Sequence, residues 1–283
     1  MSTQESLPIT VGKRKIGPGE PVFVIAEASI NHNGSIDRAK QLIDAAAEAG
    51  ADAVKFQKRN LAEVYQKKVL ENPNLYEQKY QYLIPLLKEF ELPDGAFVEL
   101  EQYADEKGIM FLVNPWDKQS TDYLEKLLHI PLYKIGSPDF TNNELVEYIA
   151  RTGKPIIIST GMVTPDEIDV GVGFVKTLGV PFAILHCNST YPAPLDEINL
   201  AFMDTLRKYD VPVGYSGHER GIGVSIGAVA RGATIIERHL TVDRALDGPD
   251  HKASLLPGEF KEMVAGIREV ERAVGSPIKK ISR

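Results

Sequence analysis

Cysteine is almost missing from this chain, which holds only Cys187 among 283 residues. A single thiol cannot form an internal disulfide framework, so the sequence indicates a reducing compartment and we expect a cytoplasmic protein. The first residues, MSTQESLP, are polar, and we expect no secretory signal. No apolar run approaches the roughly 18 residues that a membrane span requires, so no membrane partner is expected.

A basic run is also missing. Lys and Arg number 32 against 39 Asp and Glu, which gives a formal charge of −7 and argues against general nucleic-acid binding. Hydrophobic residues make up 43% and charged residues 25%, the composition of a globular protein with a substantial core. The length suits one α/β barrel, which takes roughly 250 residues, so we predict a single TIM-barrel domain over residues 1–283.

Short apolar runs alternate with amphipathic stretches along the chain. Continuous runs such as PIIIST and FAILHC are typical of strands buried on both faces of a parallel sheet. They predict strands over 22–29, 53–57, 110–115, 132–137, 155–161, 182–188, 211–218 and 234–240. Helical patterns lie between them, over 35–50, 94–107, 117–128, 142–152, from 164, 197–209, 221–231 and 257–274.

This alternation predicts an α/β protein of the (β/α)8 class, a TIM barrel. The alternative is an open doubly wound sheet, which usually carries a Gly-rich dinucleotide turn after its first strand. The corresponding segment here, ASINHNGS, does not match that turn. Residues 1–20 lie outside the repeat and predict an N-terminal hairpin that caps the barrel bottom. Residues 58–93 form a long connection, which makes them a candidate lid or substrate loop.

Polar side chains occur at the end of every predicted strand, where barrels of this kind carry their chemistry. A buried Lys, Glu or His costs desolvation unless it has a partner, so stability alone explains this pattern poorly. The candidates are Glu27, Lys55, Gln57, Lys134, Ser137, Asp139, Ser159, Asn188, Ser189, Tyr191, Ser216, His218, Glu237 and His239.

Two pairs within this set indicate particular chemistry. Lys55 and Lys134, together with the serines, suit a dianion pocket for phosphate, although a lysine at a strand end can also extend to solvent. His218 and His239 end adjacent strands, and two imidazoles near a carboxylate suit a divalent metal such as Mn, Fe, Co or Zn. The alternative for that pair is two hydrogen-bonded core histidines.

Other residues keep two interpretations each. Glu27 is a general base, a hydroxyl acceptor or a partner of a lysine. His186 is a core residue or a ligand, whereas Cys187 fits a small core residue better than a nucleophile. Trp116 either walls a sugar site or packs, and Asp250, in GPDHKAS, lies over the barrel mouth or in a plain turn. These residues predict a metal-assisted barrel enzyme for a phosphorylated anionic substrate.

Eight ordered motifs resemble the sialic acid synthase family, the phosphoenolpyruvate-dependent N-acetylneuraminate synthases and their nonulosonate relatives. They are IAEASINHNG, VKFQK, YKIGSPD, IIISTGM, LHCNSTYPAP, GYSGHE, IIERHLT and GPDHKAS, within residues 15–275. The resemblance implies a barrel that condenses phosphoenolpyruvate with the open-chain aldehyde of an N-acetylmannosamine-type sugar. The products would be a 2-keto-3-deoxy nonulosonic acid and phosphate.

The resemblance also implies roles for individual residues. Phosphoenolpyruvate would be held by Lys55, Lys134, Ser137, Ser159 and Ser216, with a further phosphate contact from Asn188 or Ser189. The sugar would face Glu27, Gln57, Asp139, Tyr191 and Asp250. Glu237 would act as an acid or base near the reacting carbons, and a divalent metal, typically Mn2+, would bind His218 and His239.

Typical members of that family continue into a small antifreeze-like domain, which in the dimer reaches the sugar bound by the neighbouring subunit. This sequence ends at Arg283, so we expect a homodimer formed through barrel faces and an antifreeze-like domain supplied in trans. Two other functions stay open: the same phosphoenolpyruvate chemistry on another acceptor sugar, phosphorylated or diacetamido, and a catalytically retired barrel that acts as a binding protein.

Overall fold

Parallel strands with helices between them curl into a barrel, which confirms the predicted (β/α)8 architecture. The computed structural model describes residues 6–275. Two short strands come first, β1 (Ile9–Val11) and β2 (Arg14–Ile16). The barrel strands follow as β3 (Phe23–Ser29), β4 (Ala53–Lys58), β5 (Met110–Pro115), β6 (Tyr133–Ile135), β7 (Ile156–Ser159), β8 (Phe182–Cys187), β9 (Val213–Gly217) and β10 (Ile235–His239).

The barrel has one seam. Backbone ladders connect the strands in the order β5-β4-β3-β10-β9-β8-β7-β6, so β5 and β6 adjoin each other without a ladder between them. With its amide nitrogen turned toward this seam, Asn114 donates a hydrogen bond to the carbonyl of Lys134 at 2.5 Å. A side chain therefore makes the connection there that backbone groups make elsewhere.

Helices surround the strands. Within residues 6–275 they are α1 (Ile36–Glu48), α2 (Leu61–Val64), α3 (Lys67–Glu71), α4 (Gln78–Phe90), α5 (Asp94–Glu106), α6 (Lys118–Leu127), α7 (Asn143–Ala150), α8 (Pro165–Thr177), α9 (Phe202–Leu206), α10 (Gly223–Ala230) and α11 (Pro257–Val274). None of these helices has the length and apolar character needed to cross a bilayer. Their starts follow local chemistry: at α8, Thr164 and Glu167 form a reciprocal capping box with Pro165 in the first turn.

One helix differs from its prediction. The continuous helix expected over 197–209 is wrong, because only Phe202–Leu206 is α-helical, with single 3-10 turns on either side. Asn199 adopts a φ of 50°, which lies in the left-handed region and cannot continue a right-handed helix. The regular helix therefore starts only after that residue.

The N-terminal hairpin closes the barrel floor. Ile9 pairs with Ile16 in the antiparallel hairpin, and both side chains are buried together with Val11. They pack against residues near the N-terminal ends of the barrel strands, such as Phe23 and Ile235. The predicted hairpin is thus present over residues 9–16, whereas residues 1–5 of that prediction lie outside the described part of the chain.

The long connection after β4 is helical rather than a loop, since it contains α2, α3 and α4. The apolar face of α4 presents Leu87 and Phe90, which pack against Ile30 in the turn after β3. Hydrophobic contact thus anchors this segment beside the carboxyl ends of the first two barrel strands. Its function as a lid or substrate loop stays a prediction.

Candidate active site

Two lysines and two glutamates meet inside the barrel mouth. The Nζ atom of Lys55 lies 2.5 Å from Oε2 of Glu27 and 3.7 Å from Oε2 of Glu237. The Nζ atom of Lys134 lies 3.6 Å from Oε1 of Glu237. All four residues are at least 95% buried, so their charges interact with little solvent screening. This cluster arises because β3, β4, β6 and β10 are parallel and direct their carboxyl ends to one place.

The two glutamates of this cluster have opposite protonation behaviour. Burial, reinforced by the Glu237 charge, raises the pKa of Glu27 to about 7 in spite of Lys55. Burial also acts to raise the pKa of Glu237, but Lys134 and Lys55 outweigh it and hold that pKa at about 2. Ser216 supports the ionised form, because its hydroxyl donates to Oε1 of Glu237 at 3.0 Å. The site thus pairs a carboxylate that is ionised at neutral pH with one that titrates near neutral pH, a combination typical of acid–base catalysis.

Hydroxyl groups surround Lys134 on the opposite side of the mouth. Lys134 Nζ donates to the Ser159 hydroxyl at 2.7 Å, and the Gly161 backbone N–H donates to the Ser137 hydroxyl at 2.9 Å. A Cβ on Gly161 would overlap the hydroxyl of Ser189, so a side chain at this position would fill the space between the serines. Phosphate oxygens are typically bound by such a combination of ammonium groups, hydroxyls and accessible backbone N–H groups.

A cavity of about 150 Å³ connects these groups. Its walls hold most of the residues predicted from the sequence, namely Glu27, Lys55, Gln57, Lys134, Ser137, Ser159, Ser189, Tyr191, Ser216, His218, Glu237 and His239. Trp116 and Cys187 line it as well, and Cys187 is at the same time a buried residue of the core. The strand-end pattern in the sequence therefore corresponds to one continuous site.

Asn188 does not direct its side chain into this cavity. Its amide donates to the Glu197 carbonyl at 3.1 Å and accepts from the Thr190 backbone N–H at 2.8 Å. These local bonds stabilise the turn after β8 and hold the side chain outside. The backbone carbonyl of Asn188 instead accepts a 2.6 Å hydrogen bond from Nδ1 of His218.

Two predicted carboxylates lie next to the cavity without forming its wall. Asp139 is half-buried in the turn after β6 and accepts from the Asn142 side chain at 3.0 Å. Asp250 accepts from the Ser29 hydroxyl at 2.5 Å, and its Oδ2 lies 3.7 Å from Nδ1 of His239. Asp250 is thus the carboxylate beside the histidines, whereas Asp139 is held by its own turn.

The histidine pair lies at the ends of β9 and β10, with ring centroids of His218 and His239 5.2 Å apart. Tyr191 stacks on His218 at 4.0 Å, and its hydroxyl is 2.8 Å from Nε2 of that ring. Burial, followed by the charge of His218, lowers the pKa of His239 well below its usual value. Nδ1 of His239 is buried and has no hydrogen-bond partner. A neutral imidazole with an unused buried nitrogen is suited to bind a metal ion, although no three His, Cys, Asp or Glu side chains in residues 6–275 already converge as a ligand group.

Sequence reasoning missed the buried ion pair behind these histidines. Arg238, with no exposed surface, donates from Nη1 to Oε1 of Glu219 at 2.8 Å and to the Ser225 hydroxyl at 2.8 Å. The Tyr215 hydroxyl donates to the other Glu219 oxygen at 2.7 Å. The signal in the sequence was a charged residue next to each histidine, in GYSGHE and IIERHLT. This pair fixes the backbone from which both imidazoles project.

Two of the open interpretations now have an answer in the structure. His186 lies on the outer face of β8, where its Nε2 is 2.7 Å from the Ile198 carbonyl and its ring packs near Phe202, so it is a core histidine. Arg59, which the sequence did not single out, places its guanidinium carbon 4.6 Å from the centre of the Trp116 ring. Trp116 therefore both lines the cavity and supports a cation at its edge.

Comparisons with known proteins agree on one group. The family described as the NeuB family matches residues 42–279. The chain is 40% identical over 273 residues to N-acetylneuraminate-9-phosphate synthase from Homo sapiens, covering 95% of this chain and 75% of that protein. It is 40% identical over 269 residues to N,N'-diacetyllegionaminic acid synthase from Campylobacter jejuni, covering 92% and 80%.

A solved structure is similar over nearly the whole chain. It is N-acetylneuraminic acid (sialic acid) synthetase from Leptospira borgpetersenii serovar Hardjo-bovis in complex with citrate, with a TM-score of 0.87 and 36% identity. The match covers 98% of this chain and 93% of that one.

Proposed function

Because the chain belongs to the NeuB family, we propose that it condenses phosphoenolpyruvate with an N-acetylmannosamine-like aldose. The products are a 2-keto-3-deoxy nonulosonic acid and phosphate. The relatives named as synthases of N-acetylneuraminate 9-phosphate and of diacetyllegionaminate support this reaction class. The observation that carries the proposal is the buried cluster of two lysines and two glutamates beside a set of serine hydroxyls.

The serine side of the cavity is proposed to bind the phosphate of phosphoenolpyruvate. Lys134 already donates to Ser159, and both groups can redirect their protons to phosphate oxygens. Ser137 and Ser216 extend the same wall. Protonation of Glu27 leaves two lysines against one carboxylate, a net positive charge that suits an anionic substrate.

The glutamates are proposed to carry the proton transfers. C3 of phosphoenolpyruvate forms a bond to the aldehyde carbon, and neutral Glu27 gives a proton to the aldehyde oxygen. Glu237, whose Oε2 has no hydrogen-bond partner, takes a proton from the water that adds to C2. The C2 hydroxyl then gives its proton to the departing phosphate oxygen and becomes the ketone carbonyl as the bond between C2 and that oxygen breaks. The proton held by Glu237 replaces the one that Glu27 gave up. Lys55 and Lys134 stabilise the negative charge of the leaving phosphate.

His218 and His239 are proposed to hold a divalent ion, with Mn2+ as the expected metal. The unpartnered Nδ1 of His239 and the Asp250 carboxylate near it fit such an ion. When bound, the ion supplies Lewis-acid polarisation of the aldehyde. Tyr191 must release Nε2 of His218 for that nitrogen to act as a ligand.

The experiment is phosphate release from phosphoenolpyruvate with Mn2+ across a panel of acceptors. The panel contains N-acetylmannosamine, its 6-phosphate, mannose and a diacetamido hexose. Lys134→Met should abolish release, whereas Lys176→Met, which removes an exposed lysine on α8, should leave it unchanged. Release that depends on one acceptor and on Lys134 supports the proposal and identifies the sugar.

The binding-protein alternative gives a different result in the same assay. If phosphoenolpyruvate binds but no acceptor of the panel causes phosphate release, the barrel is retired from catalysis or requires a domain in trans. Adding an antifreeze-like domain as a separate chain distinguishes these two outcomes. Self-association through barrel faces stays a prediction that light scattering at micromolar protein concentration tests.

A further inference from the structure

Arg59 is a buried cation without an anion. Its side chain is only 8% exposed, and its guanidinium makes a single hydrogen bond to the described residues, from Nη2 to Oε1 of Gln57. No ion pair between described residues includes it. Burial disfavours the charged form and lowers the pKa of its guanidinium. Leaving a buried charge unpaired is costly, so proteins usually supply a partner.

The neighbouring Lys58 shows what a paired cation looks like at this position. Lys58 is also 8% exposed, yet it contacts the carboxylate of Glu91 and lies 3.6 Å from that of Asp94. Asp250 is likewise engaged, by the Ser29 hydroxyl. The acidic side chains around Arg59 therefore serve other groups, and the guanidinium is left available for a ligand.

The position of Arg59 connects it to the candidate active site. Gln57 accepts from Arg59 through its oxygen, while its nitrogen donates to Glu27 at 3.2 Å and to Ser29 at 2.7 Å. The Gln57 side chain thus lies between the guanidinium and the Glu27 carboxylate, which we place at the aldehyde of the acceptor. The guanidinium lies over the Trp116 ring, and Nη2 is the donor that Gln57 uses among the described residues.

A second cavity, of about 520 Å³, begins at this arginine. Arg59 lines it together with Lys58, Lys88 and Tyr123, between the helical connection and α6. Arg59 does not line the first cavity, but it contacts Gln57 and Trp116, which do. The second cavity holds the carboxylates of Glu91 and Asp94 as well as the lysines. An acceptor that extends past Gln57 and Trp116 comes within reach of this guanidinium.

We propose that Arg59 is a specificity-determining residue that binds a phosphate monoester on the acceptor, at the end remote from the aldehyde. The inference rests on the proposed function, since it assumes an aldose whose aldehyde lies near Glu27. A guanidinium presents two parallel N–H groups that match two phosphate oxygens, and the dianion neutralises the unpaired buried charge. The enzyme accordingly prefers a phosphorylated acceptor over the neutral sugar.

The test compares N-acetylmannosamine with its 6-phosphate in four proteins. These are the wild type, Arg59→Gln, Arg59→Lys and Arg151→Gln; Arg151 is a surface arginine paired with Glu147 and serves as the matched control. Arg59→Gln should lower kcat/KM for the phosphorylated acceptor at least about 30-fold, as expected when one partner of a buried charge pair is removed. It should lower kcat/KM for the neutral acceptor far less, by the part that Arg59 contributes through Gln57, and should leave the KM for phosphoenolpyruvate unchanged. Arg59→Lys keeps the charge but lacks the two parallel N–H groups of the guanidinium, so its loss of kcat/KM for the phosphorylated acceptor should be intermediate.

Several results would overturn the inference. They are an equal loss with both acceptors, a raised KM for phosphoenolpyruvate, and a wild type whose preference for the neutral sugar survives in Arg59→Gln. A Tm several degrees lower in Arg59→Gln would also contradict it, because it would identify a structural cation. Calorimetric binding of the 6-phosphate separates this inference from the proposed function. Weaker binding to Arg59→Gln supports the arginine assignment even if no acceptor causes turnover, and equal binding to both proteins refutes it.

Discussion

Arg238→Met tests how much the buried ion pair behind the two histidines stabilises the fold. Arg238 and Glu219 are both fully buried, and Nη1 of the arginine donates to Glu219, to Ser225 and to the Gly221 carbonyl. Methionine has a similar length but no charge or donors. The variant therefore leaves the Glu219 carboxylate buried with only the Tyr215 hydroxyl as a partner.

The expected loss follows from the burial of this pair. Removing one partner of a buried ion pair costs about 3–5 kcal/mol, because the remaining charge stays desolvated. The entropy of unfolding, about 2.1 cal/mol/K per residue, amounts to about 0.6 kcal/mol/K for a chain of this length. Arg238→Met should therefore lower the Tm by about 5–8 °C. Removing the exposed arginine of the Arg151–Glu147 pair should change the stability by at most about 1 kcal/mol.

Differential scanning calorimetry of single and double variants measures both values. Adding Glu219→Gln to Arg238→Met removes the orphaned charge while retaining an acceptor for Tyr215, so it should recover at least half of the lost Tm. A double variant no more stable than Arg238→Met would refute the argument that the unpaired carboxylate causes the loss. Poor packing of the methionine would also lower the Tm of Arg238→Met, but Glu219→Gln would not relieve it, so the double variant distinguishes the two causes.

Three further predictions concern the cavity itself. Gly161→Ala should weaken phosphoenolpyruvate binding at least about tenfold, or about 1.4 kcal/mol, with the fold retained. The reason is that its Cβ would lie 2.8 Å from the neighbouring thiol sulfur. Gly173→Ala, whose Cβ meets nothing within 4 Å, is the control. The profile of kcat/KM against pH should fall as pH rises through about 7, where Glu27 loses its proton, and Glu27→Gln should remove this inflection; an unchanged inflection would assign it to another group. His239→Ala should abolish Mn2+ binding measured by calorimetry, and EDTA should abolish the activity of the wild type. His129→Ala, with a ring 97% exposed, should behave as wild type. Activity that is insensitive to EDTA would exclude a metal role.

The sequence predicted the barrel because both of its periodicities are strong. Buried parallel strands appear as apolar runs, and the intervening helices carry capping signals such as Thr164 with Pro165. Polar residues at strand ends then predict the cavity, since parallel strands in a barrel place those ends together. The predicted bounds extend past the ladders by a few residues, as at 132–137, where only Tyr133–Ile135 forms strand.

Orientation and long-range packing could not be predicted in the same way. Asn188 follows a strand end like its neighbours, but its amide bonds two backbone groups of its own turn and faces outward. The interrupted helix near Asn199 depends on a single backbone angle that no periodicity reports. Arg59 belongs to a segment outside the repeat, and its environment arises from contact with Trp116, which follows the next barrel strand.

The hairpin packs beneath the barrel, at the end of the strands opposite the candidate active-site cavity. Lys134 is buried in the wall of this cavity, whereas Arg59 lies outside it, against the Gln57 and Trp116 side chains that line it. A molecule bound against the buried lysine is trapped for as long as a second one occupies the mouth. Substrates should therefore bind in a compulsory order, with phosphoenolpyruvate before the sugar, and the products should leave in the reverse sequence, with phosphate last. An excess of acceptor should consequently inhibit turnover by blocking the passage of the smaller substrate.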